Sequence, residues 1–271
     1  MKKKLIAFML CMATVFSMTA CGGSDAEKQD AEDNTEAADD SGSDVEYIKD
    51  KGTLVVGITE FEPMDYKDES GEWIGFDADM AKLVAEELGV EAEFVVIDWD
   101  TKIMELDSKN IDVVWNGMTL TPEVTSAMEC TNAYCNNAQV VVVPEDKKDA
   151  DLAELTFAVE AGSAGEAAAN DKQFNMNSVA SQADALMEVA SGTSDAAIID
   201  LLMAGAMIGE GTSYTDLIHT EELTTEEYGV GCRKGSDLAE YINDIFAKTY
   251  EDGRLLEIAE TYGVQEAVVE Q

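Results

Sequence analysis

The chain has 271 residues and a formal net charge of -40, from 57 acidic residues against 17 basic residues and one histidine. An acidic excess of this size leaves nothing to neutralise phosphates, which argues against nucleic-acid binding, while it favours solubility and raises the local concentration of cationic solutes. Five cysteines with no dense framework argue against a disulfide-stapled scaffold, and His219 stands apart from all of them, so no metal site and no cofactor is expected.

In chain order, Lys2 to Lys4 form a basic start, Leu5 to Phe16 an apolar stretch, and Ser17-Met18-Thr19-Ala20 lead to Cys21. The apolar run is short for a bilayer span and ends in small residues, so residues 1–20 read as an export signal. Small residues directly before a cysteine resemble a bacterial lipobox, which implies lipidation of Cys21 and anchoring on the outer face of a cell membrane. An ordinary cleaved signal is the alternative. Residues 21–46 hold almost no large apolar side chain and are expected to form a disordered acidic linker, since they bury too little to offset chain entropy. Loss of Cys11 with the signal and use of Cys21 leave Cys130, Cys135 and Cys232, with a Cys130–Cys135 disulfide as an open alternative.

From residue 47 onward the pattern alternates. Leu54 to Ile58 reads as a strand that breaks at a loop holding Phe61 and Pro63. In GEWIGFDADMAKLVAEELGV, Met80, Leu83, Val84 and Leu88 share one helical face, Asp77 is placed to cap and Gly89 to stop. EAEFVVIDWD is a strand ending at Trp99, TKIMELDSKN a short helix, and IDVVW a strand. After the apolar run QVVVV the pattern restarts: TFAVEAG strand, SAGEAAAND helix, QADALMEVASG helix, DAAIID strand, LLMAGAMIG helix. YGVGC gives another strand, and Leu238, Tyr241, Ile242, Ile245 and Phe246 mark an amphipathic helix broken at Asp252-Gly253. Such alternation argues for βαβ units, a largely parallel sheet and a second α/β lobe.

The central stretch is IDVVWNGMTLTP. A β-branched strand ends in the small polar turn Asn116-Gly117-Met118-Thr119, and Thr121-Pro122-Glu123 begins a helix. A junction of this kind offers backbone N–H groups and a hydroxyl to a small ligand.

The ordered set G-x-L-x-V-G, F-x-P-x-x-Y, G-F-D-x-D-x-A, D-W-D, G-M-T-x-T-P-E, Q-V-V-V-V, A-G-S-x-G-E, D-A-A-I-I-D, Y-G-V and D-G-x-L-x-x-I-A-x-x-Y-G, spread over residues 52–263, resembles the bacterial extracellular solute-binding proteins of family three. The resemblance implies an α/β, two-lobe periplasmic-binding-protein-like fold of type II. Its lobes would take residues 47–138 and 229–271 on one side and 139–228 on the other, joined by two hinge strands near residues 139–142 and 223–229. It implies a monomer that captures a small polar solute, an amino acid first of all, and delivers it to an ABC permease driven by an ATPase subunit.

The resemblance also assigns contacts. Phe61 and Trp99 match the aromatic walls; Asn116, Gly117 and Thr119 match the turn that meets the ligand. Ser163 and Ala164 match the helix start that receives a carboxylate, and Asp200 the acid that pairs with an α-ammonium. Each has a structural alternative: core packing for the aromatics, turn formation for Asn116 and Gly117, helix capping for Ser163 and Asp200. Val124 stands where the family usually has an arginine for the ligand carboxylate, and the chain's two arginines, Arg233 and Arg254, lie near its C-terminal end. The readings left open are a carboxylate held by Thr119, Ser163 and backbone N–H groups, a substitution by Lys102, or a cationic amine without a free carboxylate bound by Glu160 and Asp200. No nucleophile and base pairing points to an enzyme, although dehydratases of similar fold form an alternative class.

Overall fold

A computed structural model describes residues 42–271. The signal segment, Cys21 and most of the linker lie outside the described residues.

The linker expected to run to Glu46 ends sooner. Helix α1 spans Asp44–Lys51, with the Ser43 hydroxyl accepting from the Glu46 N–H at 3.0 Å, Gly52 closing it in the left-handed region, and Val45 and Ile48 buried. Two apolar side chains in an acidic run were too weak a signal. The helix is fastened instead by a distant partner: Arg233 Nε donates to Asp44 Oδ2 at 3.1 Å and Nη1 donates to the Ile111 carbonyl at 2.8 Å.

The chain continues through β1 (Thr53–Ile58), the small hairpin β2 (Tyr66–Lys67) and β3 (Trp73–Ile74), α2 (Phe76–Leu88), β4 (Glu91–Val96), α3 (Lys102–Asp107), β5 (Val113–Val114), α4 (Pro122–Ala127) and β6 (Glu129–Cys130). After β7 (Cys135–Asn137) come β8 (Gln139–Pro144), β9 (Thr156–Glu160), α5 (Ala164–Lys172), β10 (Asn175–Val179), α6 (Gln182–Ser191), β11 (Ala196–Asp200), α7 (Leu201–Met207) and β12 (Leu217–Glu222). The chain closes with β13 (Glu226–Tyr228), β14 (Gly231–Cys232), α8 (Leu238–Glu251) and α9 (Arg254–Thr261).

These strands make two five-stranded sheets, ordered β4-β1-β5-β14-β6 and β10-β9-β11-β8-β12. In the first, β1 runs parallel to β4 and β5 while β14 is antiparallel to β5 and β6; in the second, β9 runs parallel to β10 and β11 while β8 is antiparallel to β11 and β12. The expected parallel pairing therefore holds where a helix crosses over, and the antiparallel strands β8 and β14 are the first that the chain enters after passing from one sheet to the other. The fold is two-lobed α/β.

Two details correct the sequence reading. Residues 139–142 do not cross between lobes: Val140, Val141, Val142 and Val143 are buried in β8, between β11 and β12. A continuous apolar run needs cover on both faces, which only a sheet interior gives. The antiparallel pair β7 and β13, polar and only three residues each, stands between the sheets in the chain. Asp77 does not cap α2, whose N-cap Gly75 offers no side chain; it is fully buried inside the first turn. Cys130, Cys135 and Cys232 are all free thiols, and His219 lies on β12.

Candidate ligand-binding site

Residues that end or follow β4, β5, β9 and β11 line one cavity of about 430 Å³. That is the position the topology dictates, since parallel strands leave their carboxyl ends and the following helix starts facing the same crevice. Trp99, Asn116, Gly117, Thr119, Glu160, Ser163, Ala164 and Asp200 all border it. Phe61 does not: its backbone N–H donates to the Asp65 carbonyl at 2.7 Å, and this tight turn draws the ring beneath Gly117, edge-on to Tyr228 at 6.4 Å between centroids.

The turn after β5 is held by its own neighbours. Asn116 Oδ1 accepts from the Thr59 backbone N–H at 3.0 Å and the Thr59 hydroxyl at 2.9 Å, while Nδ2 donates to the Thr59 carbonyl at 2.9 Å and to Asp65 Oδ2 at 2.8 Å. Every hydrogen-bonding position of that amide is used. The Gly117 N–H donates to Asp77 Oδ2 at 2.6 Å, an oxygen that also accepts from the Tyr134 hydroxyl at 2.7 Å. Burial pushes Asp77 up to about 7, and burial together with the charge of Asp77 holds Asp65 well above the usual carboxylate range. Gly117 has φ of 56°, and a Cβ there would sit 2.6 Å from Phe61 Cε1, so glycine is required. Thr119 donates its hydroxyl to Glu226 Oε1 at 3.0 Å.

Across the cavity, Ser163 is the N-cap of α5 and accepts from the Glu166 N–H at 3.1 Å; Glu166 in turn accepts from the Gly162 N–H at 2.9 Å. The pair satisfies one end of the helix reciprocally. It leaves the first-turn amides of Ala164 and Gly165, and the O–H of Ser163, whose oxygen is the acceptor of that bond, as donors toward an anion.

Asp200 ends β11 and is enclosed by donors. Its Oδ1 accepts from Asn137 Nδ2, from Gln139 Nε2 at 2.9 Å and from the Tyr228 hydroxyl at 2.7 Å; its Oδ2 accepts from Gln182 Nε2. Burial and the adjacent Glu226 carboxylate keep it well above the ordinary range, against the pull of Tyr228 and Gln182. None of these partners was singled out from the sequence as binding residues. The one signal available was a glutamine opening the apolar run QVVVV, where a buried polar residue must have a partner.

Val124 borders the cavity and is buried. Neither arginine comes near: Arg233 pairs with Asp44 and Asp112, and Arg254 with Asp252 and Glu87. The cation that borders the cavity is Lys102. Its Nζ lies 4.9 Å from the Trp99 ring centroid and donates to the Trp99 carbonyl at 3.1 Å and to the Gly162 carbonyl at 2.9 Å. Desolvation lowers its pKa, against the charges of Glu160, Glu123, Asp100 and Glu166. The Gly162 bond closes the cavity at one edge by tying the first sheet's side to the second's. Gly162, with φ of 70°, is required there because a Cβ would come within 2.7 Å of Asp100 Cα.

Residues 54–265 match the model of the bacterial extracellular solute-binding proteins, family 3. The chain belongs to that family. It is 28% identical to the L-cystine-binding protein TcyJ of Escherichia coli over 224 residues, covering 79% of this chain and 84% of that protein. It is 27% identical to the arginine-binding extracellular protein ArtP of Bacillus subtilis over 263 residues, 93% and 95% of the two chains. Among solved structures it superposes on the ancestral amino acid-binding protein AncCDT-1, a precursor of cyclohexadienyl dehydratase, with a TM-score of 0.73 and 30% identity over 81% of this chain and 99% of that one. No helix among the described residues is long and apolar enough to cross a membrane.

Proposed function

We propose that this chain is the amino-acid-capturing component of an ABC importer, lipid-anchored through Cys21 on the extracytoplasmic face and acting as a monomer. The observation that carries the reading is the shared cavity at the strand ends, with Asp200 on one wall, the Asn116–Thr119 turn on the other, and a Lys102 to Gly162 bond across its edge. Residues 47–138 and 229–271 act as one lobe and 139–228 as the other, turning about β7 and β13. The family assignment and the named relatives supply the transport context.

In this reading the α-ammonium meets Asp200, whose Oδ2 keeps a lone pair beyond the Gln182 bond, and the α-carboxylate meets the Ala164 and Gly165 amides and the Lys102 ammonium. Trp99 excludes water from the contacts. Contacts from the second lobe favour the closed form by differential affinity, and docking on a permease, with ATP hydrolysis by its partner subunit, drives release. A thermal-shift screen of the amino acids and L-cystine tests this: the true ligand raises Tm by mass action, and the absence of any shift at millimolar concentration overturns the reading.

One observation favours a second reading. Glu160 is a buried acid at the cavity with its pKa raised to about 8, which is the state of a general acid in a dehydratase-like enzyme. A cyclohexadienyl substrate incubated with the protein and recovered unchanged removes it.

A further inference from the structure

We infer that Glu160 is a specificity-determining residue that receives a second positive charge on the ligand, so the captured amino acid carries an amine or guanidinium on its side chain. This rests on the amino-acid-binding reading above.

Glu160 is the last residue of β9, 2% exposed, and borders the cavity, and its Oε1 has no hydrogen-bond partner among the described residues. A buried carboxylate oxygen without a donor is costly. The carboxylates of Asp200, Glu226 and Glu166 are supplied by the fold. Asp200 takes four donors; Glu226 Oε1 accepts from Thr119, Asn137 and Gln139; Glu166 accepts from the Gly162 N–H and the Ser178 hydroxyl. Of the carboxylates that border the cavity, Glu160 is the one with a buried oxygen lacking a donor among the described residues, and a ligand group can fill it.

The groups facing Glu160 fix the sign of that ligand group. Lys102 from α3 has two of its three ammonium donors on the Trp99 and Gly162 carbonyls, and on the reading above the third serves the ligand α-carboxylate. Asp184 lies toward Glu160 from α6, and Asp200, Glu166, Asp100 and Glu123 border the same space. One cation against that many acids leaves a wall that repels a second ligand carboxylate and draws in a cation.

Desolvation raises the Glu160 carboxyl to about 8, with Thr59, Lys102 and Gln182 pulling it partly back and Asp184 adding to the rise. At neutral pH the side chain is mostly protonated before a ligand arrives. A ligand cation at hydrogen-bonding distance favours the carboxylate, so the acid releases its proton to solvent as the ion pair forms. Affinity for a cationic amino acid therefore climbs with pH up to about 8.

Calorimetry on the whole chain tests this with L-lysine, L-ornithine and L-arginine against the neutral isosteres L-norleucine and L-citrulline, in buffers of differing ionisation enthalpy at pH 7. The expected result is that a cationic ligand binds roughly tenfold to hundredfold more tightly than its isostere, as one charge-assisted hydrogen bond allows. Its binding should release close to one proton more. In Glu160→Gln both differences vanish while the isostere's affinity is kept, and Glu160→Asp restores part of them, with thermal unfolding confirming that both variants fold. Isosteres bound as tightly as the cations, or discrimination that survives Glu160→Gln, overturns the inference and leaves amino-acid binding standing. Absence of binding by every amino acid overturns the underlying reading, and this inference falls with it.

Discussion

Asp200 and Glu160 end neighbouring parallel strands and border the same cavity, yet their surroundings differ. Asp200 is wrapped by Asn137, Gln139, Gln182 and Tyr228, whereas Glu160 keeps a buried oxygen with no partner. On the proposed reading, one site contains a fixed anchor and a selective contact. A carboxylate whose donors come from four different elements is part of the scaffold and contributes to stability. One left short of donors costs stability, and its presence is explained by the ligand that completes it.

Opposite responses to mutation test that contrast. The largest effect is expected for Asp200→Ala, which strands four donors in the interior and removes the partner of the α-ammonium. Unfolding free energy should fall by roughly 3 to 5 kcal/mol, and tight binding should be lost. Unchanged affinity in calorimetry would take Asp200 out of the site.

Next in size is Gly117→Ala. A methyl group 2.6 Å from Phe61 Cε1, at a backbone φ of 56°, should cost about 2 to 3 kcal/mol in urea denaturation. A cost below about 0.5 kcal/mol would show that the turn after β5 is less firmly held than its hydrogen bonds imply.

Glu160→Gln should act in the reverse direction, increasingly as pH rises above about 4.5. Because burial raises the Glu160 pKa in the folded chain from 4.5 to about 8, its contribution to stability is complete below about 4.5 and is lost as pH rises through about 8. The variant lacks that loss. It should match the parent near pH 4.5 and exceed it by several kcal/mol at pH 9. Parallel stability profiles for the two proteins across this window would break the comparison.

The smallest effect is that of Ser163→Ala. Loss of the N-cap should lower stability by about 1 kcal/mol, while ligand affinity changes less than threefold, because the Ala164 and Gly165 amides remain to hold a carboxylate. A tenfold loss of affinity would return Ser163 to the contact role that the resemblance gave it.

Much of the fold was legible in the sequence because its signals are local. Thr121-Pro122 does start α4, with Val124 N–H donating to the Thr121 hydroxyl at 3.2 Å; Gly89 does end α2; Leu238, Ile242, Ile245 and Phe246 are the buried face of α8. The site was legible in outline. Eight of the nine residues expected at the ligand border the cavity, since strand ends and the turns after them can be read from apolar runs. What those side chains are free to do was not. Asn116 is spent on Thr59 and Asp65, the Ser163 oxygen accepts from the Glu166 N–H, Phe61 is folded under Gly117, and the donors around Asp200 come from β7, β8, α6 and β13.

The sequence by itself determined the alternation of strands and helices, the two-lobed plan and the absence of an arginine near Val124, because periodicity, turn residues and residue identity are properties of neighbours along the chain. Only the tertiary structure decided that β8 lies inside a sheet while β7 and β13 connect the two, that Lys102 meets Gly162, and that Glu160 keeps an unanswered oxygen. Hydrogen-bond saturation is a count over partners from distant segments, and no local pattern records it until the chain has closed around the site.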